Sequence, residues 1–288
     1  MADRQPDPIA LALSHVRSRS LGPPLEDGVR VTLNFHPDRL IGDVPILRAL
    51  ARDGRYRSQF ETGTSNGGLT AHHGGARWEW ESRIFGGAYD AAAPALRPKY
   101  GALNRSRAPF GGAPRFGSAH LRLAQHTLAR TTFCYPDSVF EPGHFGVASR
   151  YALSEIADTH PALFPGAAEQ DPLDDYVEAH VHGVLDLGSD VEAIVLDPCF
   201  RGGPVEQDAH GLGLAVEWHA GYCLEVDTLR AHAGYRGPEI VELGVRLAEG
   251  EHLNPRLIGD ASRTGRYDEQ ALKRVWHYLA RFGYARSD

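Results

Sequence analysis

Apolar positions along the chain follow a helical spacing at both ends and a strand spacing in the middle. Pro8 to Arg19 reads as a short amphipathic helix, with Ile9, Leu11, Leu13 and Val16 set among small and basic residues. Gly22-Pro23-Pro24 stops it. Val29 to Phe35 is rich in β-branched residues and predicts a strand that ends at His36-Pro37-Asp38-Arg39. Val44 to Asp53 predicts a helix entered after Asp43, with Pro45 in its first turn. Phe116 to Leu123 and Thr131 to Phe133 predict strands on either side of a turn or short helix at Gln125 to Ala129. A helix is expected over Ser149 to Asp158, then strands over Tyr176 to Val184 and Val191 to Leu196, with one or two more within Leu212 to Val226. The tail returns to helical spacing at Glu239 to Glu249 and Glu269 to Phe282, where Leu272, Val275, Trp276 and Leu279 share one stripe.

One interval obeys neither period. Gly54 to Pro114 is dense in glycine, arginine and aromatic residues, and this composition predicts short strands and functional loops rather than a packed helix layer. Nothing else divides the chain: it carries no internal repeat, low-complexity tract or Pro/Ser linker. The expected organisation is one α+β domain, with an N-terminal helical arm at 1–28, a strand-rich core at 29–230 and a helical part at 231–288.

Composition narrows the functional classes. The 288 residues are 42% hydrophobic and 23% charged, enough apolar surface to fold. A net charge of -7 argues against a general coat for nucleic acid or a membrane surface. No run approaches the roughly 18 to 20 apolar residues of a membrane span. Met1 to Asp7 lacks the apolar core of a signal peptide, so a cytoplasmic location is expected. Cys134, Cys199 and Cys223 are scattered, which disfavours both a disulfide framework and a cysteine-based zinc site. Lys99 and Lys273 are the only lysines among 30 basic residues, a bias that GC-rich coding explains without phosphate binding.

Three segments could carry chemistry. His36-Pro37-Asp38-Arg39 follows a strand directly, and Pro37 restricts His36 to extended geometry; the plain alternative is a turn with an Asp-Arg surface pair. Arg57 to Gly68 crowds hydroxyls, an amide and glycines into twelve positions, suited to a polar ligand held close to backbone, or to a solvent loop. It matches neither a Walker loop nor a dinucleotide turn. Tyr176 to Gly183 alternates, placing Tyr176, Glu178, His180 and His182 on one strand face and Val177, Ala179 and Val181 on the other. The small apolar side marks the core, so the polar side is expected to face water or a cleft. His180 and His182 also form an H-x-H pair able to chelate a metal, though spacing identifies no third ligand. The adjacent His72 and His73 point in different directions and suit a glycine-rich surface loop.

Taken in order, strand-end His36 and Arg39, the segment Thr62-Gly63-Thr64-Ser65-Asn66 and the lone glutamate of Tyr-Val-Glu-Ala-His resemble the three-part signature of the ADP-ribosyltransferase superfamily. RPKYGALN, PRFGSAHLRL, ARTTFCYPDS and LKRVWHYLARFG are similar to a bacterial family described only as a domain of unknown function. The superfamily resemblance implies a strand-rich split-sheet core with helical ends, holding NAD as a substrate in a cleft. It implies an enzyme that releases nicotinamide and transfers ADP-ribose to a protein, nucleic acid or small molecule, without a required metal. Glu178 would hold the nicotinamide ribose hydroxyl and stabilise positive charge as nicotinamide leaves, supported by Ser65. His36, Arg39, Thr62, Thr64 and Asn66 would contact NAD. Phe85, Tyr89 and Tyr100 would flank the nicotinamide, and Arg39, Arg57 or Arg97 would meet the pyrophosphate. Tyr176 stands two positions before Glu178, where many protein-modifying members carry Glu or Gln, so the acceptor is not assigned. The competing readings are a metal-dependent hydrolase or oxygenase built on the strand histidines, and a non-catalytic ligand-binding module.

Overall fold

The computed structural model describes residues 7–63, 70–163 and 171–284. Its centre is a mixed sheet of eight strands flanked by helices. In chain order these are β1 (Val31–Phe35), β2 (Lys99–Leu103), β3 (Ala119–Leu123), β4 (Thr131–Tyr135), β5 (His144–Val147), β6 (Val177–Val181), β7 (Val191–Leu196) and β8 (Ala215–Trp218). Across the sheet they run β8-β7-β3-β1-β2-β6-β4-β5, antiparallel except for the β7–β8 pair.

Pairing along the sheet is uneven. β2 and β6 match over five rows and β1 and β3 over four, whereas β1 and β2 meet only at Val31↔Leu103 and Thr32↔Ala102. This two-row seam, with one further bond from the Asn104 N–H to the Arg30 carbonyl at 2.9 Å, is the shortest register in the eight-stranded sheet and lies between β8-β7-β3-β1 on one side and β2-β6-β4-β5 on the other. One row continues across the seam through Thr32, Ala102, Glu178 and Cys134.

One face of the sheet carries the main core. Leu33 and Phe35 of β1, Leu121 of β3, Phe133 of β4, Val177 and Val181 of β6 and Ile194 of β7 bury there. They pack against α2 (Ile46–Asp53) through Leu47 and Leu50, and against α4 (Leu153–Leu163) through Leu153 and Ala157. Pro45 precedes α2 as its N-cap rather than opening its first turn.

The other face is also covered, which corrects two expectations. β6 is buried at all five positions, so its polar side faces neither water nor an open cleft. Part of its cover is α3 (Ala76–Ile84), a helix inside the interval expected to hold only strands and loops. Its buried residues are Arg77, Trp80, Glu81 and Ile84, a helical stripe in which two of the four side chains are charged. Reading apolar positions alone hides that period. α1 (Pro8–Ser18) completes the cover, with Ala12 and Val16 packed among Trp80, Phe85, Tyr89 and Phe145. It comes so near that a β-carbon on Gly183 would lie 2.7 Å from Ile9 Cδ1, at a φ of +78° that already favours glycine.

The C-terminal part builds a second core from α7 (Pro238–Leu247), α8 (Pro255–Arg263) and α9 (Glu269–Phe282). (α5 and α6 are the short helices Pro204–His210 and Val226–Ala231.) The α9 stripe buries Leu272, Val275, Trp276 and Leu279 as its spacing predicts, and Trp276 Nε1 donates to the carbonyls of Pro114 and Arg115, both at 3.0 Å. No helix among the described residues is long and apolar enough to cross a membrane.

Candidate functional site

Alternation on β4 and β6 brings polar side chains together on the covered face. Glu178 and His180 project from β6, Thr132 and Cys134 from the adjacent β4, and His182 follows the end of β6. Their hydrogen bonds form one continuous chain. The Tyr89 hydroxyl lies 2.7 Å from His182 Nδ1, and His182 Nε2 lies 2.9 Å from Thr132 Oγ1. Thr132 Oγ1 is 3.0 Å from His180 Nδ1, and His180 Nε2 is 2.9 Å from Glu178 Oε1. At the far end the Ser138 hydroxyl donates to Glu178 Oε2 at 3.0 Å, its backbone N–H does so at 3.3 Å, and Arg77 Nη1 donates to Ser138 Oγ at 3.1 Å.

Burial penalises charge here, yet Glu178 is held below the ordinary carboxylate range. Burial opposes this shift; His180, Arg77 and the Ser138 hydroxyl together overcome it. His182 is driven well below the usual imidazole range, first by burial and then by His180, Arg130 and Lys99. The Cys134 thiol is pushed well up by burial and by Glu178, so it stays protonated.

Around the histidines stands an aromatic wall. Phe85 meets the edges of His180 and His182 at ring distances of 5.5 and 5.0 Å, Tyr89 lies parallel to His182 and Tyr100 packs on His180 at 5.4 Å. The three aromatic residues expected to flank nicotinamide are thus gathered beside Glu178's strand. Phe85 and Tyr89 are fully buried, and the Tyr100 hydroxyl donates to Glu81 at 2.7 Å.

The remaining expected residues lie elsewhere or are already engaged. His36 and Arg39 line a separate cleft of about 270 Å³ with Asp38, Arg263, Glu269 and Trp276. None of these residues bonds to the Glu178 chain. His36 packs edge-on to Trp276 at 5.0 Å, and Arg39 pairs loosely with Glu269 at 3.7 Å. Burial with Arg39 nearby lowers His36 to about 3, while burial raises the Asp38 carboxyl to about 6. Thr62 is exposed, its hydroxyl donating to Ser58 and Gln59 carbonyls of its own turn. Thr64, Ser65 and Asn66 lie outside the described residues. Arg97 does not reach for a pyrophosphate: it is 4% exposed and bonded to Glu81 and to the Tyr89 carbonyl. Arg57 pairs with Asp53 at 2.8 Å.

Cys134, Glu178 and His180 bring ligand-type atoms within 4.8 Å of one another. His182 is not part of that group, and Tyr89 and Thr132 engage its two nitrogens. We read the three as a hydrogen-bonded cluster, because Arg77 already supplies the positive charge beside Glu178. Sequence reasoning missed Thr132, Cys134, Ser138 and Arg77. Alternation in Thr-Thr-Phe-Cys-Tyr could have placed the first two on one face; Ser138 sits in a turn whose approach no spacing announces.

Fold and site together define a mixed α+β protein with a buried carboxylate–imidazole chain on its central sheet. The chain belongs to the family described as Protein of unknown function (DUF3626), whose model matches residues 30–158 and 164–282. A search of curated proteins found no match. The matched residues include every member of the Glu178 chain and leave out α1.

Proposed function

We propose that this protein is an NAD-consuming ADP-ribosyltransferase in which Glu178 is the reacting carboxylate. The observation that carries the reading is a buried, charged carboxylate already holding a hydroxyl, Ser138 Oγ at 3.0 Å, one strand away from the two-row seam. A ribose hydroxyl makes the same bond. In this reading the Ser138 turn withdraws, substrate takes its place, and the fixed negative charge stabilises the oxocarbenium-like centre left by nicotinamide. The two-row seam between β1 and β2 is consistent with a split sheet. Phe85, Tyr89 and Tyr100 pack against His180 and His182 together with Trp80, whose ring lies 5.2 Å from His180.

Tyr176 gives no help with the acceptor, because its hydroxyl is bonded to Asp137 and its ring is buried. The acceptor therefore stays open among protein, nucleic acid and small molecule. The test is incubation of the full chain with NAD and cell extract, reading nicotinamide release and modified products by mass spectrometry. Glu178→Gln keeps the shape and removes the charge. Release should fall roughly 100-fold or more, while NAD affinity changes far less. Equal turnover in the two proteins would overturn the assignment.

A further inference from the structure

We propose that Tyr89 sets the direction of the buried hydrogen-bond chain and thereby holds Glu178 in its charged form; only the consequence for activity rests on the function proposed above. The argument is a proton count. A phenol has one proton to give, and His182 Nδ1 is its hydrogen-bond partner among the described residues. His182 Nδ1 therefore accepts, and its ring proton sits on Nε2. That proton is donated to Thr132 Oγ1, which leaves the threonine's own proton for His180 Nδ1. His180 then carries its proton on Nε2 and donates it to Glu178 Oε1. Each of these links has one donor and one acceptor, and the Cys134 thiol lies at the margin of the chain, 3.8 Å from His180 Nε2.

Reversing the chain changes the outcome at Glu178. With the proton on His180 Nδ1, a bare Nε2 lone pair would face the carboxylate oxygen at 2.9 Å, and Glu178 would have to take a proton itself. Tyr89 and Glu178 are thus coupled through three intervening side chains. The same count limits what Glu178 can do. It cannot pass a proton to His180 Nε2, which already holds one. Delivery in the other direction would leave a buried tyrosinate at Tyr89, whose hydroxyl burial and Glu81 push upward. Glu178 accordingly serves as a fixed charge and hydroxyl acceptor, not as a base that drains protons through the core.

The other groups around the chain do not set its direction. Arg77 from α3 favours the carboxylate, acting on Glu178 and Glu81 alike. Tyr100 from β2, Cys134 from β4, Asp137 in the turn after β4 and Tyr176 before β6 each feel the Glu178 charge. Lys99 and Arg130 face His182 and keep it neutral without choosing which nitrogen is protonated.

The test is nitrogen-15 NMR of the histidine side chains in the full chain, with carbon-13 titration of the Glu178 carboxyl. His180 and His182 should both show the Nε2–H tautomer at neutral pH. Tyr89→Phe frees the chain to reverse, and Glu178's midpoint should rise by about one pH unit or more. Thr132→Val cuts the chain in its middle and should move the midpoint the same way, which guards against a fold defect in one variant. The acid limb of nicotinamide release should shift upward in step. An imidazolium or Nδ1–H form in the parent, or an unmoved Glu178 titration in both variants, would overturn the proposal. If tautomers and titration behave as stated while Glu178→Gln leaves NAD turnover intact, the chain stands and the transferase reading fails.

Discussion

Arg97 and Glu81 meet at 2.6 Å with side chains only 5% and 0% exposed. The pair ties α3 to the segment leading into β2; the Tyr100 hydroxyl also donates to Glu81, and Arg97 also donates to the Tyr89 carbonyl. Burial raises the Glu81 carboxyl against the pull of Tyr100 and Arg97. The cost of desolvating both ions makes the intact pair a modest source of stability, but removing one partner strands the other.

Arg97→Leu should therefore destabilise the fold by about 3 to 5 kcal/mol. Urea denaturation read by tryptophan fluorescence is the measurement, since Trp78 and Trp80 lie on the helix that the pair anchors. A loss below about 1 kcal/mol would place the ion pair among surface contacts of little weight.

Acid should unfold this protein early. His36, His120 and His277 each sit near 3 because of burial, against an ordinary 6.5. Between those values the unfolded chain binds more protons than the fold. Stability present above about pH 6.5 is thus lost as pH falls toward 3. Asp38, raised to about 6, has the opposite sign, contributing less as pH climbs from its ordinary 3.8 through 6. Glu81, Asp137 and Asp174 share that sign, but His182 and His219 join the three imidazoles, and Glu178, Asp190 and Glu217, held low, act with them as acid is added. Melting temperature should drop steadily below pH 6.5, and His277→Leu should flatten the slope by roughly one proton. That residue is the choice because neither of its ring nitrogens meets a hydrogen-bond partner among the described residues.

Trp276 joins the C-terminal core to the rest of the molecule. It is 1% exposed, its ring touches His36 and Tyr222, and its N–H reaches the 114–115 carbonyls. Trp276→Ala should cost about 3 to 5 kcal/mol. Deleting residues 269–288 should lower the melting temperature sharply; an unchanged value would make α9 an appendage.

The outer elements and many strands were legible because each shows its period to the reader. Val191–Leu196 and Glu269–Phe282 carry clean spacings and form as expected. The interval around α3 was not, since its buried stripe mixes Arg77 and Glu81 with Trp80 and Ile84. Alternation correctly put Glu178, His180 and His182 on one side of a strand. It could not tell that α1 and α3 would cover that side, because the partners of a polar face come from far along the chain: Ser138 is 40 residues from Glu178, and Tyr89 is 93 from His182. His36 and Glu178 belong to different surroundings for the same reason: sequence order conveys succession, not which strand lies between.

The two-row seam between β1 and β2 has a mechanical consequence. Relative rotation of two plates is easiest along the line where fewest backbone hydrogen bonds must stretch, and here two rows stand beside neighbours of four and five. Flexing of the sheet will concentrate at that hinge line. Glu178 rides one strand in from that line and His36 follows β1 on its other side, so a small turn about the hinge changes their separation.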